Sequence, residues 1–154
     1  MGETQAGDRS LHGVPMDRTE VDEFLREQGV GVLSLAADGD AYGVPISFGY
    51  DGEKLYFFLL EFGGESTKLD FAGETTTATF TAYEFPDKHH WRSVVVRGPI
   101  ERVPDDRREA ADEALFDNGQ FASLSPFGEP MTDRPRYQLT VDDLSARQGQ
   151  GFDV

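Results

Sequence analysis

Residues 30–60, VGVLSLAADGDAYGVPISFGYDGEKLYFFLL, decide the fold. Val30 to Leu35 and Tyr42 to Tyr50 read as the two strands of a hairpin, separated by the polar turn Ala37-Asp38-Gly39-Asp40. Asp51-Gly52 makes the next turn, and Lys54 to Leu60 follows as a third strand. Three strands joined by such short polar turns can only run antiparallel, because parallel neighbours need a crossover of a dozen residues or more.

Toward the C-terminus the same grammar continues. Thr75 to Tyr83 is a fourth strand, dense in Thr and aromatics. Pro86 to His90 is a loop, and Trp91 to Val103 a long fifth strand in which Gly98-Pro99 marks a bulge or bend. After Pro104, Asp105 to Leu115 is a helix with Ala110, Ala111, Ala114 and Leu115 on its apolar face. The segment Asn118 to Pro135 is rich in Gly, Pro and Ser, and Tyr137 to Val141 is a last strand before a polar tail. Toward the N-terminus, a short amphipathic helix from Asp17 presents Val21, Phe24 and Leu25 on one side and stops at Gly29. Residues 1–16 have no periodicity and are expected to be a flexible arm or to lie across a partner, leaving 17–154 as one domain. Five or six antiparallel strands with peripheral helices point to a mainly β fold closed as a small barrel, since closure removes exposed edges.

Charge sets limits on partners. The net charge of −15 over 154 residues disfavours nucleic acid and anionic membranes, so an anionic ligand requires a local basic site. The acid excess is spread along the chain, and eleven arginines outnumber three lysines, a composition suited to a salt-rich cytoplasm where self-repulsion is screened. A merely acidic protein of a dilute cytoplasm is the alternative. The absence of cysteine excludes disulfides, thiolate nucleophiles and Cys-based metal sites. No apolar run reaches a membrane span and no signal peptide is evident, so the expected location is cytoplasmic.

The candidate binding element follows the third strand. In residues 55–71, LYFFLLEFGGESTKLDF, Gly63-Gly64 breaks the strand and Glu65-Ser66-Thr67-Lys68 opens a short helix. Ser66 is a good N-cap, so helix-start N–H groups, a hydroxyl and the Lys68 charge converge as a phosphate cradle. The other two lysines, Lys54 and Lys88, sit in expected turns. An ordinary capped surface helix is the competing reading. His89-His90 with Asp87 has no third ligand at useful spacing, and no metal is expected.

The order of these pieces, VGVLSLAADGDAYGVPISFGYDGEKLYFFL, then GGESTK, a strand, and WRSVVVRGPIERV, resembles the FMN-binding split barrels related to pyridoxamine 5′-phosphate oxidase, nearest the branch that includes nitroimidazole-resistance proteins. The resemblance covers about Val30 to Val103. It implies a split β-barrel forming a homodimer with two FMN sites at the interface. It further implies that Ser66-Thr67-Lys68 hold the FMN phosphate, that Pro45, Ile46, Ser47 and Phe48 line the isoalloxazine, and that Trp91 and Ser93 lie near the flavin. The residues agree: an acidic chain must supply positive charge locally for a dianionic phosphate, and Ile46, Ser47 and Phe48 offer an apolar wall with a hydroxyl at its rim. Trp91 and Arg92 open a strand that could approach a dimer interface, where aromatics and arginine are favoured. On the long strand Trp91, Ser93 and Val95 share one face and Val94 and Val96 the other; both call for cover, and a second copy would supply it. Ser47 and Ser93 as satisfied strand hydroxyls, Phe57 and Phe58 as core, and Arg92 as a solvated cation are the alternatives.

The chain also departs from the family. Some nitroimidazole-resistance proteins carry a histidine near the end of the third strand, where this chain has Phe57-Phe58-Leu59-Leu60, and no C-terminal Arg/His set for a vitamin B6 substrate is evident. No catalytic side chain can be named. The expected function is an FMN-dependent oxidoreductase passing hydride or electrons between a donor such as NAD(P)H and a small-molecule acceptor. The alternatives are a flavin-binding or storage protein without turnover, and a split barrel using deazaflavin or haem.

Overall fold

The computed structural model describes residues 13–58, 72, 75–117 and 135–150. In chain order these form β1 (Val14–Pro15), α1 (Arg18–Gln28), β2 (Val30–Ala37), β3 (Asp40–Ser47), β4 (Gly49–Tyr50), β5 (Lys54–Phe58), β6 (Thr77–Asp87), β7 (His90–Arg102), a 3-10 turn (Asp105–Arg107), α2 (Arg108–Phe116), β8 (Arg136–Thr140) and β9 (Asp143–Gln148).

Helix α1 begins where its sequence dictates. The Asp17 side chain accepts from the Glu20 N–H at 2.8 Å while the Glu20 carboxylate accepts from the Asp17 N–H at 3.1 Å, a reciprocal capping box, and Gly29 ends the helix in the left-handed region. Val21, Phe24 and Leu25 are its buried face, as the 3.6-residue spacing requires. The β2–β3 hairpin turns at Asp38-Gly39, whose φ values of 52° and 82° are those of a two-residue turn matched to strand twist.

The sheet runs β3-β2-β6-β7-β8-β5-β4, and every pairing is antiparallel. Its two end strands, β3 and β4, are consecutive in the chain with only Phe48 between them. The sheet therefore curls until its edges belong to one bent segment, giving the antiparallel split β-barrel. Where the sequence reads as one strand from Tyr42 to Tyr50, the structure bends at Phe48, whose N–H bonds the Gly29 carbonyl at 3.2 Å. Inside, the Phe48 ring lies 4.6 Å from Phe80, which lies 5.4 Å from Phe57, among buried Leu33, Leu35, Val94 and Val96. Truncating such a ring, as in Phe80→Ala, costs about 3–5 kcal/mol. Helix α2 lies outside this core over Tyr56 and Phe58, burying Ala111 and Leu115. Arg136 ties β8 to it by an ion pair with Asp112, its guanidinium 4.9 Å from the Phe58 ring centre.

Strand β7 is the spine. Along one side it pairs β6 from His90 to Pro99; along the other it pairs β9 through Arg92–Arg97 and β8 through Ile100–Arg102. Gly98-Pro99 is the point of exchange. Proline has no N–H to donate, so it fits where neither β8 nor β9 pairs. No register shift occurs there; the irregularity in the β6–β7 ladder lies between Glu84 and Asp87.

Three expectations are corrected. The polar tail after Val141 is strand β9. The expected loop from Pro86 is still strand through Asp87, which accepts from the His89 and His90 N–H groups at 2.8 and 2.9 Å and closes a tight hairpin. Of the expected arm, Val14 and Pro15 belong to the sheet, pairing Gln148 and Arg147, and the Met16 N–H bonds the Ala146 carbonyl at 3.2 Å.

Candidate functional site

Residues directly opposite in an antiparallel ladder share a face. Ser47 stands opposite Val30 and Pro45 opposite Val32 on β3–β2. Val32 stands opposite Thr81, which is opposite Val95. Tyr83 is opposite Ser93, and Ser93 opposite Arg147. All lie on the outer side of the sheet, the interior being occupied by Leu33, Phe80, Val94 and Val96. One row thus crosses five strands, Pro45, Val32, Thr81, Val95 and Ser145; beside it lie Ser47 opposite Val30, and Tyr83 opposite Ser93 and Arg147, the β2–β6 pairing ending at Val32 and Thr81.

This alternation divides the expected ring-binding set. Pro45 and Ser47 face outward with Ser93. Ile46 packs against the core and Phe48 is fully buried within it, so neither side chain forms a wall on that face. Ser47 is itself buried at 4% exposure, whereas Val30 at 40% and Tyr83 at 58% are open to solvent. Trp91, on the same face as Ser93, is half-buried: its indole lies 2.7 Å from where a Cβ on Gly13 would sit and 3.0 Å from one on Gly149, and its carbonyl accepts from the Gly149 N–H at 2.8 Å. Trp91 therefore clasps the first and last described segments together. Arg92 points to the other face, where it meets Gln148 at 3.3 Å and Glu84 at 3.8 Å, and Gln148 donates to Glu20 at 2.8 Å. It caps one end of the barrel. Ser66, Thr67 and Lys68 lie outside the described residues.

A second polar cluster clamps the β4–β5 turn. The Tyr50 hydroxyl donates to Asp22 at 2.6 Å, and Arg18 bonds the Tyr50 hydroxyl at 3.1 Å and the Gly52 carbonyl at 2.8 Å. Burial and the Asp22 carboxylate push the Tyr50 phenol up to about 12. Burial pushes the Asp22 carboxyl up, but bonds from Tyr50 and Arg18 outweigh it and hold it below its ordinary value. Asp51 is also held low: burial opposes, and the Glu53 and Lys54 N–H groups and the Tyr56 hydroxyl, at 2.9, 2.8 and 2.7 Å, prevail. A groove of about 520 Å³ lies at the far end of β7, lined by Arg102, Asp105, Arg108 and Arg136 among others. Arg102 is nine residues beyond Ser93, roughly 30 Å along the strand at ~3.3 Å per residue. The groove is thus remote from the serine-bearing rows. Among the described residues no three His, Cys, Asp or Glu side chains form a metal-ligating group, and no helix is long and apolar enough to cross a membrane.

Sequence reasoning missed Val30, Tyr83 and Arg147. The first two lie in strands the sequence predicts, and only the register shows which side they take. Arg147 was hidden in the polar tail, although the alternation of Leu144, Ala146 and Gln148 is the signature of a half-buried strand.

A family model described as pyridoxamine 5′-phosphate oxidase matches residues 17–148. An uncharacterized protein of Rhizobium meliloti is 27% identical over 89 residues, a match that spans 58% of this chain and 56% of that protein's length. Among solved structures, an FAD-binding protein from Mesorhizobium loti superposes with a TM-score of 0.69 at 23% identity, over 87% of this chain and 96% of that one. An FAD and haem binding protein from Mycobacterium smegmatis gives 0.66 at 20% identity, over 88% and 72% of the two chains.

Proposed function

The chain belongs to the pyridoxamine 5′-phosphate oxidase family, and on that premise we propose that it is a flavoprotein that binds FMN on the outer face of its sheet and works as a homodimeric oxidoreductase. One observation carries the reading: segments far apart in sequence, Pro45 with Ser47 and Trp91 with Ser93, share one outward face with the methyl groups of Val30, Val32 and Val95 between them. That donor set fits the group. A flavin ring has flat apolar faces and a rim of hydrogen-bonding atoms, and hydroxyls bordering an aliphatic surface match both. Lys68, with Ser66 and Thr67, is the candidate for the phosphate.

When bound, FMN supplies hydride and electron chemistry, and the protein supplies orientation and a water-excluding surface. A second copy laid over the outward face of Val32, Thr81 and Val95 would exclude water from it and complete the pocket for a reduced nicotinamide donor and a small acceptor. A second reading, flavin binding without turnover, is favoured by one observation: Ser47 and Ser93 are flanked in their row by an aliphatic residue, a tyrosine and an arginine, with no carboxylate or imidazole there to move a proton.

The test is spectroscopic. Freshly purified protein should show an oxidised-flavin spectrum and release FMN by mass; a deazaflavin, FAD or haem signature instead would replace the cofactor assignment. Anaerobic NADH or NADPH should bleach the band, and air or a quinone should restore it. A band unchanged by both donors across a range of salt would favour binding without turnover.

A further inference from the structure

The open middle of the outward row is unexplained by the cradle and the serines. Val30 and Tyr83 each lie two residues beyond Val32 and Thr81, where the β2–β6 pairing ends, so both side chains stand on the outer face. Each stands directly opposite a serine: Val30 opposite Ser47, Tyr83 opposite Ser93. The order across the sheet is hydroxyl, isopropyl, phenol ring, hydroxyl, guanidinium. Both apolar groups lie between the two hydroxyls. Tyr83 is 58% exposed, and its ring has no stacking, cation–π or hydrogen-bonding partner among the described residues. Its backbone is nevertheless fixed, because Gln28 Nε2 bonds the Tyr83 carbonyl at 2.8 Å. An open aromatic on a fixed backbone, with an open aliphatic group on the same face, is a platform.

Resting on the flavin reading above, we infer that Val30 and Tyr83 are the floor of the ring site, Tyr83 in face contact with the flavin ring system and Val30 under its neighbouring portion. The occupant is a planar heteroaromatic with a polar rim: Tyr83 has the half-buried Ser93 hydroxyl one strand away and Arg147 beyond it, polar groups that suit such a ring better than the charge-depleted, apolar centre of a subunit contact. Tyr83 is a binding residue here and takes no part in the balance of any reaction.

FMN is the probe. A phenol in contact with excited flavin donates an electron and takes it back without net chemistry, so emission from FMN bound to the native chain should be largely quenched. Tyr83→Phe, which keeps the ring and removes the oxidisable phenol, should retain FMN affinity and raise emission severalfold. Tyr83→Leu should raise emission equally and weaken FMN about tenfold, the scale of a lost aromatic contact. Because Tyr83 is exposed, both variants should keep the native melting temperature. FMN bound with the same affinity and emission by all three proteins would overturn the floor while leaving flavin binding intact, as would a Tyr83→Leu chain that turns monomeric with native emission per bound FMN. A native chain that takes up no FMN would overturn the flavin reading itself, and the floor with it.

Discussion

A Cβ built on Gly98 would lie 1.7 Å from the Thr140 carbonyl oxygen and 2.9 Å from its carbonyl carbon. Backbone presses on backbone at the point where β7 exchanges β9 for β8, and the Asp142 N–H locks the crossing by bonding the Arg97 carbonyl at 3.0 Å. Gly98→Ala must displace the β8–β9 connection and should cost about 3 kcal/mol or more. That is a fall of about 6–12 °C in melting temperature for a chain of this size. Gly43→Ala is the control: its nearest neighbour would be a Val32 methyl at an ordinary 3.8 Å, so its melting temperature should stay near native. Equal melting temperatures for the two variants would refute the close crossing.

The β4–β5 clamp predicts how stability depends on pH. Asp22 and Asp51 titrate below their ordinary 3.8 in the folded chain, so their contribution is complete above that value and is lost as pH falls through the folded values. Tyr50 has the opposite sign: raised to about 12 from 10, it contributes fully below pH 10 and is lost as pH rises through about 12. Asp22→Asn should lower stability near neutrality by about 1 kcal/mol and flatten both the acid and the alkaline limbs of the melting profile. A profile parallel to that of the native chain at both ends would show that the clamp is not formed in solution.

Local signals were legible, and long-range ones only in part. Asp17 with Glu20, the Val21, Phe24 and Leu25 stripe, Gly29, and the Asp38-Gly39 turn each act over a few residues, so the sequence states them outright. The split of Pro45 and Ser47 from Ile46 and Phe48 follows from period-two alternation, but which set faces outward is fixed by Phe48 packing on Phe80 across the barrel. Strand β9 is polar on its open side and gains its place from pairing with β7, more than forty residues earlier in the chain. Charge at Asp143 and Arg147 masked that pairing. The outer rows could be read only once five strands were in register, which is why Tyr83 escaped notice while Ser93, opposite it, did not.

Covering the outward face by a second copy predicts that Val95→Glu, in the Pro45 row, opposes association. A carboxylate forced into such a contact is left without a partner, and the dimer should weaken by several kcal/mol. Light scattering in molar salt, where repulsion between chains of net charge −15 is screened, should give a dimer for the native chain and about 17.1 kDa for the variant. A native chain of 17.1 kDa at that salt would refute the dimer.

The phosphate end of the site can be separated from the ring end by comparing FMN with riboflavin, which has the same ring and no phosphate. Lys68 is the lysine of a Gly-Gly-x-Ser-x-Lys sequence in a chain that otherwise repels anions. A charge-assisted contact of this kind contributes ~1.5–3 kcal/mol, so Lys68→Ala should weaken FMN roughly tenfold to a hundredfold. Riboflavin affinity should be unchanged. The groove carrying Arg102, Arg108 and Arg136 is the competing place for an anion in the described structure, and roughly 30 Å of strand separates Arg102 from Ser93, too far for one FMN to bridge. Arg102→Ala should therefore leave both affinities at native values. If Arg102→Ala weakens FMN and Lys68→Ala does not, the phosphate belongs in the arginine groove, and the ring cannot lie on the serine-bearing face.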